Sequence, residues 1–175
     1  MKFYGLILLF ILSMSAILLP RDFDYRDIPI HENGRIKPLD TFVRNQLLLI
    51  YGKRSIKPKA LPEGLNSKGL SAIDWFFDIA LNPDEGDKYR VFNISNPEVV
   101  ASLGLSWDPG HLYNQKEILS GLKNQIHYIT TIQGKPEAEL TQFDTQMLKV
   151  YSNVIQYQAL SYSLSCLLPL IQIHN

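Results

Sequence analysis

Two stretches in the last third of the chain carry apolar residues at helical spacing, with only Gly134-Lys135-Pro136 between them. The first shows Ile118, Leu122, Ile126 and Ile129; the second shows Leu140, Phe143, Met147, Val150, Val154 and Ile155. Returns of three and four residues place side chains on one face of an α-helix, and a Gly/Pro break ends one. Two long helices with so short a connection must lie antiparallel, so the chain is read as mainly α with a long C-terminal helical hairpin. Asn114 with Glu117 makes a capping box for the first helix. The second is expected to start near Glu137 and to reach Leu168. The 175 residues leave room for one domain of about 150 residues, which can bury about two-thirds of its unfolded surface without disulfides. Cys166 is the single cysteine, read as a buried inert thiol among Leu164, Leu167 and Leu168.

Upstream, the same signals mark shorter pieces. Asn33-Gly34, flanked by Ile28, Ile30 and Ile36, predicts a small hairpin, the one minor β element expected besides a short strand over 89–94. Phe42, Val43, Leu47 and Ile50 form the stripe of a helix over 39–51 that Gly52 stops. Residues 53–68 show no period and read as a loop. Ser71 with Asp74 opens a helix that breaks at Asn82-Pro83. Asn96-Pro97-Glu98 opens a short one that ends at Gly104.

Lys2 precedes an uncharged run over residues 3–19, closed by Pro20 and Arg21. Its length is near the ~17-residue minimum for crossing a bilayer. Ser13, Ser15 and Ala16 would suit a cleaved signal peptide. Ile17-Leu18-Leu19 continues the apolar run past them and favours an uncleaved anchor. The chain is therefore read as a signal-anchor at 1–20 that meets the lipid bilayer through 3–19. A helical domain at 21–175 would then lie outside the membrane, as that of a single-pass protein. Lys2 and the terminal amine are matched by Arg21 and Arg26, so loop charge alone leaves the orientation open.

Lys+Arg and Asp+Glu stand at 17 each, which is not the basic excess of a nucleic-acid binder. His31, His111, His127 and His174 form no pair at metal-ligand spacing, and no phosphate-binding or nucleophile motif is present. No enzyme activity and no metal site are expected. His127, beside the stripe, should face solvent. Arg35, Lys37, Asp40, Thr41 and Arg44 crowd the turn-to-helix junction. They would dock a partner or bind an anion or, alternatively, only hold the helix start, with Asp40 capping it and pairing with Arg44 at i, i+4. Residues 150–173 carry no charge, and the chain stops at Asn175 without a polar tail, which reads as the buried last helix of the domain or as a helix that docks on something this chain lacks. A partner surface is therefore expected from Arg35, Lys37, Asp40 and Arg44 with Tyr157 and Leu164 of the last helix.

The run Gly34-Arg35-Ile36-Lys37-Pro38-Leu39-Asp40-Thr41 resembles the segment that follows the first membrane helix of system II cytochrome c assembly proteins. Gly52-Lys53-Arg54-Ser55, Asp74-Trp75, Asn82-Pro83, Tyr89-Arg90-Val91-Phe92 and the stretch from Asn96 to Leu105 agree with the same pattern, so the likeness covers roughly residues 28–170. It implies an extracytoplasmic domain of a cytochrome c biogenesis machine, on the periplasmic side of a bacterial inner membrane, acting by protein contacts on a multi-span haem-handling subunit. In that family a tryptophan-rich motif and flanking histidines hold the haem. Trp75 and Trp107 stand alone here, so the ligand roles do not carry over to any of the four histidines, and haem is expected in the wider complex only. The rival expectation is an accessory structural subunit of a respiratory or other membrane complex. Titrating the purified protein with haem tests the first reading. No saturable Soret shift is expected, and a shift abolished by one His→Ala change would contradict it.

Overall fold

The computed structural model describes residues 24–65 and 68–164. These are mainly helical: α1 Leu39–Tyr51, α2 Ala72–Leu81, α3 Pro83–Gly86, α4 Pro97–Ser102, α5 Gln115–Gln133 and α6 Gln142–Ser161. Three two-stranded antiparallel ladders lie among them. β1 Pro29–Glu32 pairs with β2 Arg35–Pro38, β3 Ser55–Ile56 with β4 Leu70–Ser71, and β5 Phe92–Asn93 with β6 Leu112–Tyr113. The hairpin expected at Asn33-Gly34 is β1–β2, and the strand expected over 89–94 contains β5; the remaining two-residue strands have too little alternation to register as a pattern.

The local punctuation acts as the sequence predicts. Asn33 and Gly34 both take positive φ (52° and 75°), the two-residue turn that lets Glu32 face Arg35. Gly52 (φ 78°) donates its N–H to the Leu48 carbonyl and ends α1. The Ser71 hydroxyl accepts from the Asp74 N–H, and Asn114 and Glu117 cap α5 reciprocally. Asn96 caps α4 through its side-chain oxygen. The last helix differs. Residues Glu137–Glu139 form a 3-10 turn, and α6 begins only after Thr141, whose capping box with Asp144 replaces the expected start.

One core joins all of this. Val43 and Leu47 of α1, Trp75 and Ile79 of α2, Ile118 and Ile129 of α5, and Met147 and Val154 of α6 are all buried in it. α5 and α6 pack antiparallel: Tyr128 meets Phe143 and Asp144, while Leu119 and Leu122 lie beside Val154 and Gln158. Trp75 and Phe92 rings stand 6.0 and 5.3 Å from the Tyr157 ring. The loop over 53–65 is pinned by Ile56, Ala60 and Leu61, all buried. α4 crosses α5 so closely that a Cβ on Gly121 would come within 2.2 Å of the Leu103 carbonyl oxygen.

The expected single-pass membrane arrangement is corrected. Among the described residues no helix is long and apolar enough to cross a membrane. α5 and α6 have the length, but Lys116, Glu117 and Lys123 interrupt the first, and Asp144 and Lys149 the second. The anchor expected at 3–19, Cys166 and His174 lie outside the described residues, whereas the expected extension of the last helix to Leu168 is corrected: α6 ends at Ser161, capped at Tyr162.

Two predictions follow from this packing. Gly121→Ala should cost about 1–3 kcal/mol, because backbone rather than a flexible side chain meets the added methyl. Gly134→Ala, whose Cβ would find only the Thr131 carbonyl at 3.6 Å, is the control and should be close to neutral in urea unfolding. The second concerns Asp144, which is buried. The Tyr128 hydroxyl, followed by the Thr141 N–H, holds its carboxyl below the ordinary carboxylate value. A depressed folded pKa stabilises the fold above the unfolded value of about 3.9, and that contribution disappears as pH falls through the folded value. Tyr128→Phe should therefore lower the unfolding midpoint at neutral pH, and the gap to wild type should close as pH is taken below about 4.

Candidate partner interface

The β1–β2 hairpin is bolted to α1 by a polar clamp. Glu32, Lys37 and Gln46 are all at least half-buried or buried where the hairpin meets the helix. The Lys37 ammonium and the Gln46 amide both donate to the Glu32 carboxylate, the amide at 2.8 Å. Lys37 faces Ile30 in the ladder register, one diagonal step from Glu32, so the strand pairing itself sets up the contact. The Leu39 N–H donates to the Ile28 carbonyl at 2.8 Å and closes hairpin onto helix.

Asp40 does not cap α1. The capping position is Pro38, and no side chain accepts from the first turn. Asp40 instead pairs with Arg44 at 2.7 Å, the i, i+4 pair read from the sequence. Its second oxygen is buried and finds no protein partner. With 49% of the Arg44 side chain exposed, this pair is worth only a few tenths of a kcal/mol.

Arg35 and Ile36 are left over. Arg35 is exposed and has no ion pair or side-chain hydrogen bond among the described residues. Ile36 is 75% exposed, opposite exposed His31 on the outer face of the hairpin. Six residues were expected to share one surface, and one of them does not reach the surface at all. Tyr157 is corrected to a core residue: it is buried, its hydroxyl donates to the Gly86 carbonyl at 2.6 Å, and burial pushes its pKa up. Leu164 is half-buried against the core. No hydrogen bond or ion pair links either of them to the junction among the described residues.

The histidines stay apart. His127 is exposed, as expected. His111 takes a positive φ of 56° and packs its ring edge-on to Trp107 at 4.7 Å. Among the described residues no group of His, Cys, Asp and Glu is placed to hold a metal.

Sequence reasoning missed a second polar region, a cleft of about 680 Å³ between α3 and the start of α5. Arg90 organises it. Its guanidinium donates to the Leu112 carbonyl at 2.6 Å and lies 3.6 Å from Asp108 and 3.7 Å from Glu117. Burial, reinforced by neighbouring Asp84, raises the Asp87 pKa, while Lys116 opposes the shift. Charges of both signs largely offset each other there, and Arg90 ties three segments together rather than awaiting a ligand. No period or motif marks such a cleft, because its lining comes from residues far apart in the chain.

No protein family matches the chain, and neither a curated protein nor a solved structure matches it.

The clamp and the exposed pair should separate cleanly by mutation. Glu32→Ala leaves a lysine and an amide without their shared acceptor and should cost about 1–3 kcal/mol. Arg44→Ala should cost less than about 0.5 kcal/mol, both read from urea midpoints.

Proposed function

We propose that this chain is a non-catalytic docking domain of a cytochrome c biogenesis machine, acting by protein contacts on a haem-handling partner, with Arg35 and Ile36 as its contact residues. The observation that carries the reading is a division of labour within the 34–41 motif. Gly34 makes the turn, Lys37 joins the Glu32 clamp, Leu39 enters the core and Asp40 pairs with Arg44. Arg35 and Ile36 have no such internal task. A 75% exposed isoleucine on the outer face of a braced hairpin is free energy left on the surface, and at the next strand position an exposed arginine on the other face adds a charge at the same edge. The resemblance of the same motif to system II cytochrome c assembly proteins supplies the kind of partner, a multi-span haem-handling subunit. Haem would be held by that partner.

The test is co-expression with the multi-span subunit of a system II machine, followed by affinity recovery and a haem stain. Arg35→Glu with Ile36→Asp should leave the circular dichroism spectrum unchanged and reduce recovery of the haem-stained partner at least tenfold. Recovery unchanged by the double substitution would sink the proposal.

A further inference from the structure

Charge is distributed unevenly along this chain. Residues 52–71 hold Lys53, Arg54, Lys57, Lys59 and Lys68 against the single acid Glu63, a net +4 in a protein whose formal net charge is zero. All five cations are exposed, and none has an ion-pair partner among the described residues.

The fold gathers them and holds them still. In the β3–β4 ladder Ile56 lies opposite Leu70, and a Cβ on Gly69 would stand 3.8 Å from the Lys57 Cα. Lys68 is thereby brought back beside Lys57 and Lys59. Buried Ile56, Ala60 and Leu61 fix the backbone to the core, and the Arg90 N–H donates to the Ala60 carbonyl at 3.0 Å. Like charges kept together in this way repel one another. Helix electrostatics accounts for part of the set only: Lys53 follows the carboxyl end of α1 and lies over the Tyr51 ring at 5.5 Å. Lys57, Lys59 and Lys68 have no such internal task.

Chemistry and shape together choose the counter-surface. Four of the five are lysines, point charges on flexible stems, whereas the reading of one fixed carboxylate or phosphate favours the planar fork of arginine. The clefts on either side, at Leu61 and Glu63 and at Leu65 and Leu70, include none of the five, so neither guides an acidic strand past them. A bilayer needs no guide, because its anionic headgroups are mobile and collect under whatever cations approach. Leu65, between Lys59 and Lys68 in sequence, is 47% exposed and adds an apolar side chain that the interface accepts.

We infer that the cations around the β3–β4 ladder form an electrostatic docking surface for an anionic lipid bilayer, a peripheral contact that requires no membrane-crossing helix. The inference rests on these charges and not on the cytochrome c reading.

The experiment is co-sedimentation of the full chain with vesicles of phosphatidylcholine alone and with vesicles containing about one-third phosphatidylglycerol. Any contribution of the uncharged run at 3–19 is common to both, so the ratio isolates the charge. Partition onto the anionic vesicles should be about tenfold stronger in 0.05 M salt and lose that advantage near 0.5 M, where screening is short-ranged. Lys57→Glu with Lys59→Glu should abolish the preference and leave circular dichroism unchanged, since both side chains are exposed. Lys123→Glu with Lys149→Glu makes the same change of net charge on the exposed faces of α5 and α6 and should leave the preference in place. Equal partition between the two vesicles, a preference that survives the Lys57 and Lys59 changes, or one lost equally in the control pair would each overturn the inference. So would saturable binding of poly-glutamate or of a single-stranded oligonucleotide without any preference between the vesicles, which would give the surface to an acidic protein or a nucleic acid.

Discussion

The arrangement of the domain depends on how Tyr157 is held. It lies on the last described helix, yet its ring packs on Trp75 of α2 and Phe92 of β5, and its hydroxyl reaches the carbonyl of Gly86, 71 residues earlier. An aromatic side chain contributes much of its worth by burying area, and a buried hydroxyl must find an acceptor. Here the two demands are met in different places, so the residue fixes the depth of α6 as well as its contact with the core. Gly86 has its own part in this, because a Cβ there would come within 3.1 Å of Ile79. The close approach of α3 to α2 brings the carbonyl within reach of the phenol.

The elements whose ends are set by local chemistry were legible in the sequence. Asn33-Gly34, Gly52, Ser71 with Asp74 and Asn114 with Glu117 all act through neighbours within four residues, which a linear reading can see. The start of α6 was missed by a few residues, because Thr141 with Asp144 competes with the acidic turn at 137–139 and only the packed structure decides between them. Of the ladders β3–β4 and β5–β6 only β5 was legible, within the alternation read over 89–94; neither pairing was, because each joins two residues to two others outside any local pattern.

The partner surface was legible in part. The 34–44 cluster was found by its density of charge and its motif, but composition does not separate a lysine that braces a hairpin from an arginine that faces water. Lys37 and Arg35 are two residues apart on one strand, and only the position of Glu32 distinguishes them. Tyr157 shows the reverse difficulty. Its surroundings in sequence are weakly polar all round, so burial on every side and exposure on one side predict the same pattern. Ile126 and Ile155 sit in the apolar stripes read from the sequence yet are 49% and 48% exposed, so the stripes are wider than the described domain covers.

α6 touches α1, α2, α4 and α5, so the last described helix completes contacts with most of the helices made before it. The short ladders join segments nearer in sequence and can form early, but they hold few buried side chains. A ribosome-bound chain that has emerged only as far as α5 therefore displays the uncovered faces of Trp75, Phe92 and Ile118 together. Until residues as far as Leu160 clear the exit tunnel, the nascent domain lacks most of its long-range packing, and its folding is timed by the emergence of α6 rather than by the first helices to appear.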